Sequence, residues 1–336
     1  MTSIIIVGYN SKEDLKKCFD SIYSNTYTRF RVIFIDNGSS DGSLEYIKTN
    51  YAQIITIKNK NTGYAGGNNV GIRKAIELKS KYVFLLNPDT IIDKECLSNL
   101  IKKADDQAIL QPLILLNIDS KNTDLINTTG GHLNFLGFSY CGNYKQNKSV
   151  AKEGDIAIAS GAAVFIPAVI LKKIGLLDES FFMYHEDVDL FWRARIYGFD
   201  IRLISNSIVW HKYSFSKNKM KMFYSERNRL LFLHKNFTLK YKILIFPIFL
   251  LNELLMIMYS LLNGWLLLKI KTYISIIFIL YNSAYKKSEV ILWKEKNEVA
   301  KRYLVTEINF SEVSSVLFTP YNALTKIYWL FIKWCI

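Results

Sequence analysis

The chain has 336 residues, half of them apolar, and its net charge is +14. This length and apolar content allow a sizeable core without disulfide staples, so a small disulfide-rich scaffold is excluded. The cysteines are far apart and form no CxxC pair, which argues against a zinc ribbon or a redox motif. The positive charge predicts an anionic partner: nucleic acid, a nucleotide diphosphate or an anionic membrane surface.

The first part of the chain alternates apolar runs with segments of helical spacing. Uninterrupted apolar runs predict buried strands at 3–9, 31–36, 54–57 and 82–86. Helices are predicted at 11–24, 43–48 and 71–78. Strands that alternate with helices indicate βαβ units, so we expect an α/β fold with a mainly parallel, doubly wound sheet.

Polar residues follow each of these strands, and ligands of such sheets bind beyond the carboxyl ends of the strands. Tyr9 ends the first strand, and Asp36 ends the second. A carboxylate at this place can accept from a base or a ribose, although Asp36 and the turn after it also suit helix capping.

A Gly/Asn-rich segment covers residues 61–69, and we interpret it as a loop before a helix. It has neither the spacing of a dinucleotide fingerprint nor that of a P-loop, which argues against an NAD-dependent dehydrogenase. Its glycines would allow close approach of the backbone to a ligand, whereas the simpler alternative is a flexible loop.

The segment Asn87-Pro88-Asp89 follows the fourth strand directly. Asp89 can hold a hard divalent cation, but the same tripeptide is also good turn chemistry.

Three acids, Glu186, Asp187 and Asp189, begin a helix predicted over 186–197. The helix dipole stabilises acids at this end of a helix, which is one explanation for them. The other is that one of the three serves as a general base. His211 follows a strand predicted at about 200–210, and a lone histidine is more often structural than a metal ligand.

The character of the chain changes after about residue 212, first to a basic segment and then to an apolar one. The run 243–262 is long enough to cross a bilayer, but Pro247 interrupts it and Glu253 lies near its middle. A second apolar stretch covers about 272–285. Basic flanks on both sides favour a hairpin or in-plane helices, with a soluble core helix as the alternative.

Several motifs occur together and in order: Ile6-Val7-Gly8-Tyr9-Asn10, the Asp36–Gly42 turn, the Asn61–Gly71 segment, Asn87-Pro88-Asp89, Ser160-Gly161-Ala162 and Leu176–Asp189. In this the chain resembles glycosyltransferase family 2, inverting enzymes of GT-A (Rossmann-like) fold. It looks most like the bacterial rhamnosyltransferase-like and galactofuranosyltransferase-like branch. The resemblance covers roughly 2–235, with a donor half at about 1–110 and an acceptor half at about 111–235. Residues 236–336 would form a hydrophobic and basic helical region.

The resemblance implies a role for each motif residue. The donor nucleotide sugar would be bound by Tyr9, Asp36, Asn37, Gly63, Gly67, Asn68, Asn87 and Asp89. Mg²⁺ or Mn²⁺ on the donor diphosphate would be bound by Asp89 and His211. Catalysis would fall to Asp187, the general base, and to Glu186. The sugar or the acceptor would be contacted by Ser160, Gly161, Ala162 and Asp189.

Two departures qualify the resemblance. Asn87 replaces the first acid of the usual metal motif, which weakens the expectation of strict metal dependence. The Gln-x-x-Arg-Trp pattern of processive synthases is absent, which favours a single or limited transfer.

The sequence therefore predicts an inverting glycosyltransferase that acts on a cell-surface glycan or a polyprenyl-diphosphate-linked acceptor. We expect it at the cytoplasmic face of the bacterial membrane, peripheral or inserted as a hairpin through about 243–285, with no signal peptide and no nucleic-acid partner. The alternative is a non-catalytic binder of nucleic acid or an anionic surface.

Overall fold

The computed structural model describes residues 1–213, 219–281, 293–307 and 315–336. The strands are β1 Thr2–Gly8, β2 Phe30–Asp36, β3 Ile55–Lys58, β4 Tyr82–Leu86, β5 Thr90–Ile92, β6 Ala108–Ile118, β7 Lys121–Thr128, β8 Gly131–Asn134, β9 Ser139–Cys141, β10 Gly154–Asp155, β11 Ala163–Pro167, β12 Asp200–His211 and β13 Leu304–Val305. The α-helices are α1 Lys12–Tyr23, α2 Ser43–Asn50, α3 Gly63–Glu77, α4 Cys96–Lys103, α5 Ala168–Ile174, α6 Glu186–Ile196, α7 Lys219–Asn236, α8 Leu239–Leu262, α9 Leu266–Tyr281, α10 Trp293–Tyr303 and α11 Ser315–Cys335.

The chain divides into two units. The first comprises residues 1–131 and 141–215, and the second comprises 132–140 and 216–336. The boundary therefore falls before α7, not at residue 235 as predicted from the sequence. The physical reason is that α7 forms buried ion pairs with α8 and α9, which a sequence reading cannot anticipate.

The first unit is built on a ten-stranded sheet in which eight strands have the order β10-β12-β6-β11-β4-β1-β2-β3, while β5 pairs with β12 and β7 pairs with β6. The strands β3, β2, β1 and β4 are mutually parallel, as are β6 and β12, whereas β11 runs antiparallel between β4 and β6. The central residues of β1 and β2 and all of β4 are apolar, as expected where helices cover both faces of a parallel sheet. The predicted α/β fold with a mainly parallel sheet is confirmed.

The largest local difference from the predicted elements is the start of α3. The Gly/Asn-rich segment, predicted as a loop, forms the first two turns of this helix, which begins at Gly63. A Cβ on Gly71 would overlap the side chain of Ile5 in β1. The glycines therefore allow α3 to pack tightly on the sheet, and this close packing outweighs their low helix propensity.

In the second unit, β13, β8 and β9 form a three-stranded sheet beside the helices α7 to α11. The apolar run predicted at 243–262 lies in α8, which contains Pro247. The second apolar stretch lies in α9 up to Tyr281, and its predicted end at 282–285 falls outside the described residues.

Candidate active site

The carboxyl ends of β1, β2 and β3 form one edge of the sheet. Gly8 lies opposite Asp36 in the register of β1 and β2, and the next N–H, that of Asn37, donates to the Gly8 carbonyl at 2.8 Å. Tyr9 is 55% exposed, whereas Asp36 is buried and its Oδ1 accepts the Ser39 N–H at 3.1 Å. This edge thus offers an open aromatic ring near a carboxylate that also caps the following turn.

Asn37 belongs to the interior of this edge. Its Nδ2 donates to the Gly63 carbonyl at 3.0 Å, and its Oδ1 accepts from Asn59 Nδ2 at 3.0 Å. Only 3% of the residue is exposed. Asn37 therefore holds the start of α3 against β2, which corrects the expectation that its side chain contacts the donor.

The first two turns of α3 also pack against other parts of the protein and do not face an open cleft. Gly63 has a φ of +71°, and a Cβ there would overlap the carbonyl oxygen of Phe182. A Cβ on Gly67 would lie 2.6 Å from Val7 Cγ1 in β1. Asn68 is 2% exposed, and its amide donates to a carbonyl one turn earlier in α3. These glycines are required by a close approach to the protein itself, and the predicted contacts of Gly63, Gly67 and Asn68 with the donor remain a prediction.

Asp89 and His211 lie next to each other because β5 pairs with the end of β12. Thr90 is opposite His211 in that pairing, and Asp89 Oδ1 lies 3.4 Å from His211 Nε2. On the other side of the ring, Nδ1–H donates to Oδ1 of the buried Asn127 at 3.0 Å. In the tautomer whose Nδ1–H donates to Asn127, Nε2 presents its lone pair to the carboxylate, an arrangement that suits a cation between the two groups.

This pair suits a hard divalent cation that has other ligands as well. Over the described ranges of the chain, no group of three or more His, Cys, Asp or Glu side chains is placed to hold a metal. Carboxylate oxygen and imidazole nitrogen are both ligands of Mn²⁺ and related ions. A cation at Asp89 and His211 would thus complete its coordination with ligand oxygens and water.

The predicted acceptor segment begins next to the Asn87-Pro88-Asp89 turn because β11 is the antiparallel neighbour of β4. The Asn87 N–H donates to the Ala162 carbonyl at 2.9 Å, and the Asn87 carbonyl accepts from Thr90 Oγ1 at 2.6 Å. The Ser160 N–H is held by Oε1 of the fully buried Gln111, at 2.8 Å. Two motifs far apart in sequence are thereby fixed side by side.

Gly161 connects α3 with the start of α6. Its N–H donates to Asp187 Oδ2 at 2.9 Å, and its carbonyl accepts from the Tyr64 hydroxyl. The other carboxylate oxygen of Asp187 accepts the Val188 N–H at 2.8 Å. Asp187 is partly exposed, so each oxygen is held by one backbone donor while the carboxylate remains open to a ligand.

Glu186 differs sharply from its neighbour. It is 5% exposed, and its Oε2 has no hydrogen-bond partner within the described part of the chain. Burial, together with the negative charge of Asp187, raises the pKa of Glu186 well above its usual range. Ionisation of Glu186 is therefore costly, whereas Asp187 is the partly exposed acid of the pair.

Asp189 lies on the interior side of α6. It is fully buried, and its Oδ2 accepts from Arg193 Nε at 2.9 Å. Arg193 in turn donates to the carbonyl of Leu176 at 2.8 Å. This network anchors the helix, and it corrects the expectation that Asp189 contacts sugar or acceptor.

The segment before α6 is held in an uncommon backbone conformation. Phe182, Tyr184 and His185 have φ values of 62°, 65° and 68°, a region that non-glycine residues rarely adopt. The Phe182 carbonyl accepts the Ala65 N–H at 3.1 Å, so the start of α3 helps to impose this conformation. Strain of this kind persists where surrounding contacts determine it, and it is frequent at functional sites.

Comparisons with known proteins agree with this geometry. The model of the family "Glycosyl transferase family 2" matches residues 3–173. A hexosyltransferase of low-salt glycan biosynthesis from Haloferax volcanii is 34% identical over 196 residues, which are 57% of this chain and 61% of that protein. A poly-beta-1,6-N-acetyl-D-glucosamine synthase from Staphylococcus epidermidis is 26% identical over 223 residues, which are 62% of this chain and 49% of that protein. The matches thus span about half to three fifths of these relatives.

Solved structures share the fold at low sequence identity. GalNAc-T7, solved with UDP, GalNAc and Mn²⁺, has a TM-score of 0.58 and 16% identity, covering 72% of this chain and 49% of that one. The mannosyltransferase PcManGT from Pyrobaculum calidifontis, in complex with GDP-Man and Mn²⁺, has a TM-score of 0.51 and 13% identity, covering 99% and 85%. The family match covers half of the chain and includes the sheet edge described above, so this chain belongs to glycosyl transferase family 2.

Proposed function

We propose that this glycosyltransferase moves a hexose from a nucleoside diphosphate donor to an acceptor hydroxyl, with inversion at the anomeric carbon. The observation that carries the proposal is the placement of Asp187: it is partly open, fixed by two backbone donors, and attached through the 160–162 segment to the turn that carries Asp89. The hexosyltransferase name of the Haloferax volcanii relative supports the sugar class.

In the proposed reaction Asp187 accepts the proton of the acceptor hydroxyl while that oxygen attacks the anomeric carbon. The nucleoside diphosphate leaves from the opposite face with the electrons of the broken bond, and the configuration inverts. Tyr9 and Asp36 would receive the base and the ribose at the edge formed by β1 and β2. The raised pKa of Glu186 opposes a second negative charge beside the base.

Asp89 and His211 would hold Mg²⁺ or Mn²⁺ at the donor diphosphate, an ion that neutralises charge on the leaving group when bound. Two solved structures of this fold contain Mn²⁺, which supports the choice of a divalent cation. Asn127 orients His211 by accepting from Nδ1, so it belongs to the proposed metal centre although it would not touch the ion.

Asn127→Leu is expected to weaken Mn²⁺ binding by about 10- to 100-fold, because the orientation and tautomer of His211 are no longer fixed. Calorimetric titration of Mn²⁺ in the presence of nucleoside diphosphate measures this directly. Asn122→Leu, at an exposed position of the same strand, is the matched control and should bind as the wild type does. Equal affinities of the Asn127 variant and the wild type would remove His211 from the metal centre.

Tyr64→Phe tests whether α3 positions the base. The hydroxyl of Tyr64 donates to Gly161, whose N–H holds Asp187, so its loss should lower kcat by about tenfold while the donor KM changes little. Tyr51→Phe removes a hydroxyl that bonds to Asp20 at the surface, and it should leave kcat unchanged. An equal fall in kcat for both variants would indicate general destabilisation, and no positioning role for Tyr64 would remain.

The donor sugar is the finer part of the proposal. We retain dTDP-rhamnose, UDP-galactofuranose and UDP-hexoses as candidate donors, and the relative's name favours a hexose. A panel of nucleotide sugars, assayed for release of nucleoside diphosphate with Mn²⁺ present, tests both the activity and the branch. Absence of release with every donor and acceptor preparation would contradict the proposed reaction.

We place the acceptor in a surface glycan or on a polyprenyl diphosphate, at the cytoplasmic face of the membrane. The support is the helix α8, which has 24 residues and a mean hydropathy of 2.0 over its most apolar window, enough by length and composition to cross a bilayer. Extraction of lipid-linked glycans from membranes, followed by transfer assays with labelled donor, would identify the acceptor class.

A further inference from the structure

Several helices of the second unit bury polar side chains and expose broad apolar faces. On α8 the buried positions include Asn252, Glu253 and Ser260, each no more than 6% exposed. Large apolar side chains occupy the exposed positions of the same helix: Ile243, Phe246, Leu250, Leu254, Met258 and Leu262. This is the reverse of a helix that packs onto a core in water.

The next helices repeat the pattern. On α9, Lys269 and Thr272 are buried at 1% exposure, while the exposed positions are apolar: Leu267, Ile270, Ile274, Ile277 and Phe278. On α11, Thr325 is fully buried, whereas Leu330 and Trp334 are 63% and 85% exposed. All three helices therefore expose broad apolar faces, although α8 also buries Ile245 and Ile248, and α11 also buries Trp329 and Ile332.

The buried charges within this unit balance one another. Lys269 donates to Glu226 and, at 3.0 Å, to Glu253, while Arg229 donates to Glu253 and, at 3.2 Å, to Glu226. Tyr273 adds a hydroxyl donor to Glu253 at 2.6 Å. Two cations and two carboxylates thus form a neutral cluster, and Glu253 is not an isolated charge in an apolar helix.

The width of the apolar surface on α8 indicates whether a protein chain or lipid acyl chains cover it. At 100° per residue, the exposed positions of α8 from Phe246 round to Tyr259 span an arc of roughly 220°. A second protein chain covers one side of a helix, whereas acyl chains cover an arc of any width. The exposed Lys240 and Lys271, and the net charge of +14, also match the charge of anionic headgroups.

We propose that the apolar faces of α8, α9 and α11 lie in the acyl chains of an anionic lipid bilayer, with the cluster of Glu226, Arg229, Glu253 and Lys269 as the polar interior of the embedded unit. The inference deepens the proposed membrane location by naming the surface and its partner. It does not depend on donor or acceptor, so its test uses lipid binding and not sugar transfer.

The experiment measures partitioning of the full chain onto vesicles of phosphatidylethanolamine and phosphatidylglycerol after detergent removal. The wild type should remain with the vesicles through washes with high salt and alkaline carbonate. The triple variant Leu254→Gln, Met258→Gln, Ile274→Gln should lower the partition coefficient by more than about tenfold. The matched control, Ile118→Gln, Val150→Gln, Val169→Gln, changes three exposed apolar residues of the first unit and should partition as the wild type does.

A second measurement needs no destabilising change. Lipids brominated in the acyl chains should quench the fluorescence of the exposed Trp334, so Trp334→Phe should lose quenching that Trp210→Phe in the first unit retains. If the wild type eluted as a soluble dimer and did not bind vesicles, the proposal would be overturned, and a second copy of the chain would be the partner that covers the apolar faces. Equal quenching in both tryptophan variants, or release of the wild type by salt alone, would also overturn it.

Discussion

Asp187→Asn is expected to reduce kcat by about 10²- to 10⁴-fold, the usual contribution of a positioned general base. The amide matches the carboxylate in shape but cannot accept the proton of the acceptor hydroxyl. Because the proposed donor groups lie on other segments, the dissociation constant for nucleoside diphosphate should stay within a few-fold of the wild-type value. Single-turnover transfer assays and calorimetric binding of nucleoside diphosphate measure the two quantities separately.

Glu186→Gln is the matched comparison, because it changes the neighbouring acid in the same way. The raised pKa of Glu186 favours its neutral form, which a glutamine amide resembles, so the replacement should lower kcat by less than about tenfold. If Asp187→Asn kept near wild-type turnover while Glu186→Gln lost it, the roles of the two acids would have to be exchanged.

Lys269→Met is expected to destabilise the second unit by about 3–5 kcal/mol, the usual cost of removing one partner from a buried ion pair. Methionine fills a similar volume, so the loss is mainly electrostatic: Glu226 and Glu253 would share Arg229 as their cation within the cluster. Thermal unfolding in detergent, followed by the circular dichroism of the helices, measures the change.

The double variant Lys269→Met, Glu226→Gln should recover much of that stability. It restores the balance of charge and leaves the pair formed by Arg229 and Glu253 intact. Lys271→Met, at an exposed position of the same helix, should change stability by no more than about 0.5 kcal/mol. If Lys269→Met and Lys271→Met unfolded at the same temperature, the buried cluster would have no role in stability.

Patterns local in sequence predicted the donor half of the fold well. The apolar runs at 31–36 and 82–86 coincide closely with β2 and β4, because strands buried on both faces need apolar side chains at every position. Asp36 and Asp89 could be placed at strand ends because a charged residue after an apolar run marks the point where the buried strand ends. The Gly/Asn-rich segment was wrongly predicted as a loop, because its glycines meet the requirements of contacts with Ile5, Val7 and Phe182, which are distant in sequence.

Three residues of the site have no recognisable signal in the sequence. Tyr64, Gln111 and Asn127 act through hydrogen bonds to residues 49 to 97 positions away. A tyrosine, a glutamine and an asparagine inside ordinary helix and strand segments look like any others. Their partners become neighbours only when β4, β6, β11 and β12 assemble in one sheet.

The sequence by itself determined the family and the chemical groups at the sheet edge, because these depend on motifs whose members are close along the chain. Tertiary packing determines which acid at the start of α6 is open to a ligand, since folding buries Glu186 and raises its pKa but leaves Asp187 partly exposed. It also decided the meaning of Glu253. In the sequence this residue is a costly charge in an apolar run, but folding brings Arg229 and Lys269 to it, and pairing at short range offsets the cost of burial.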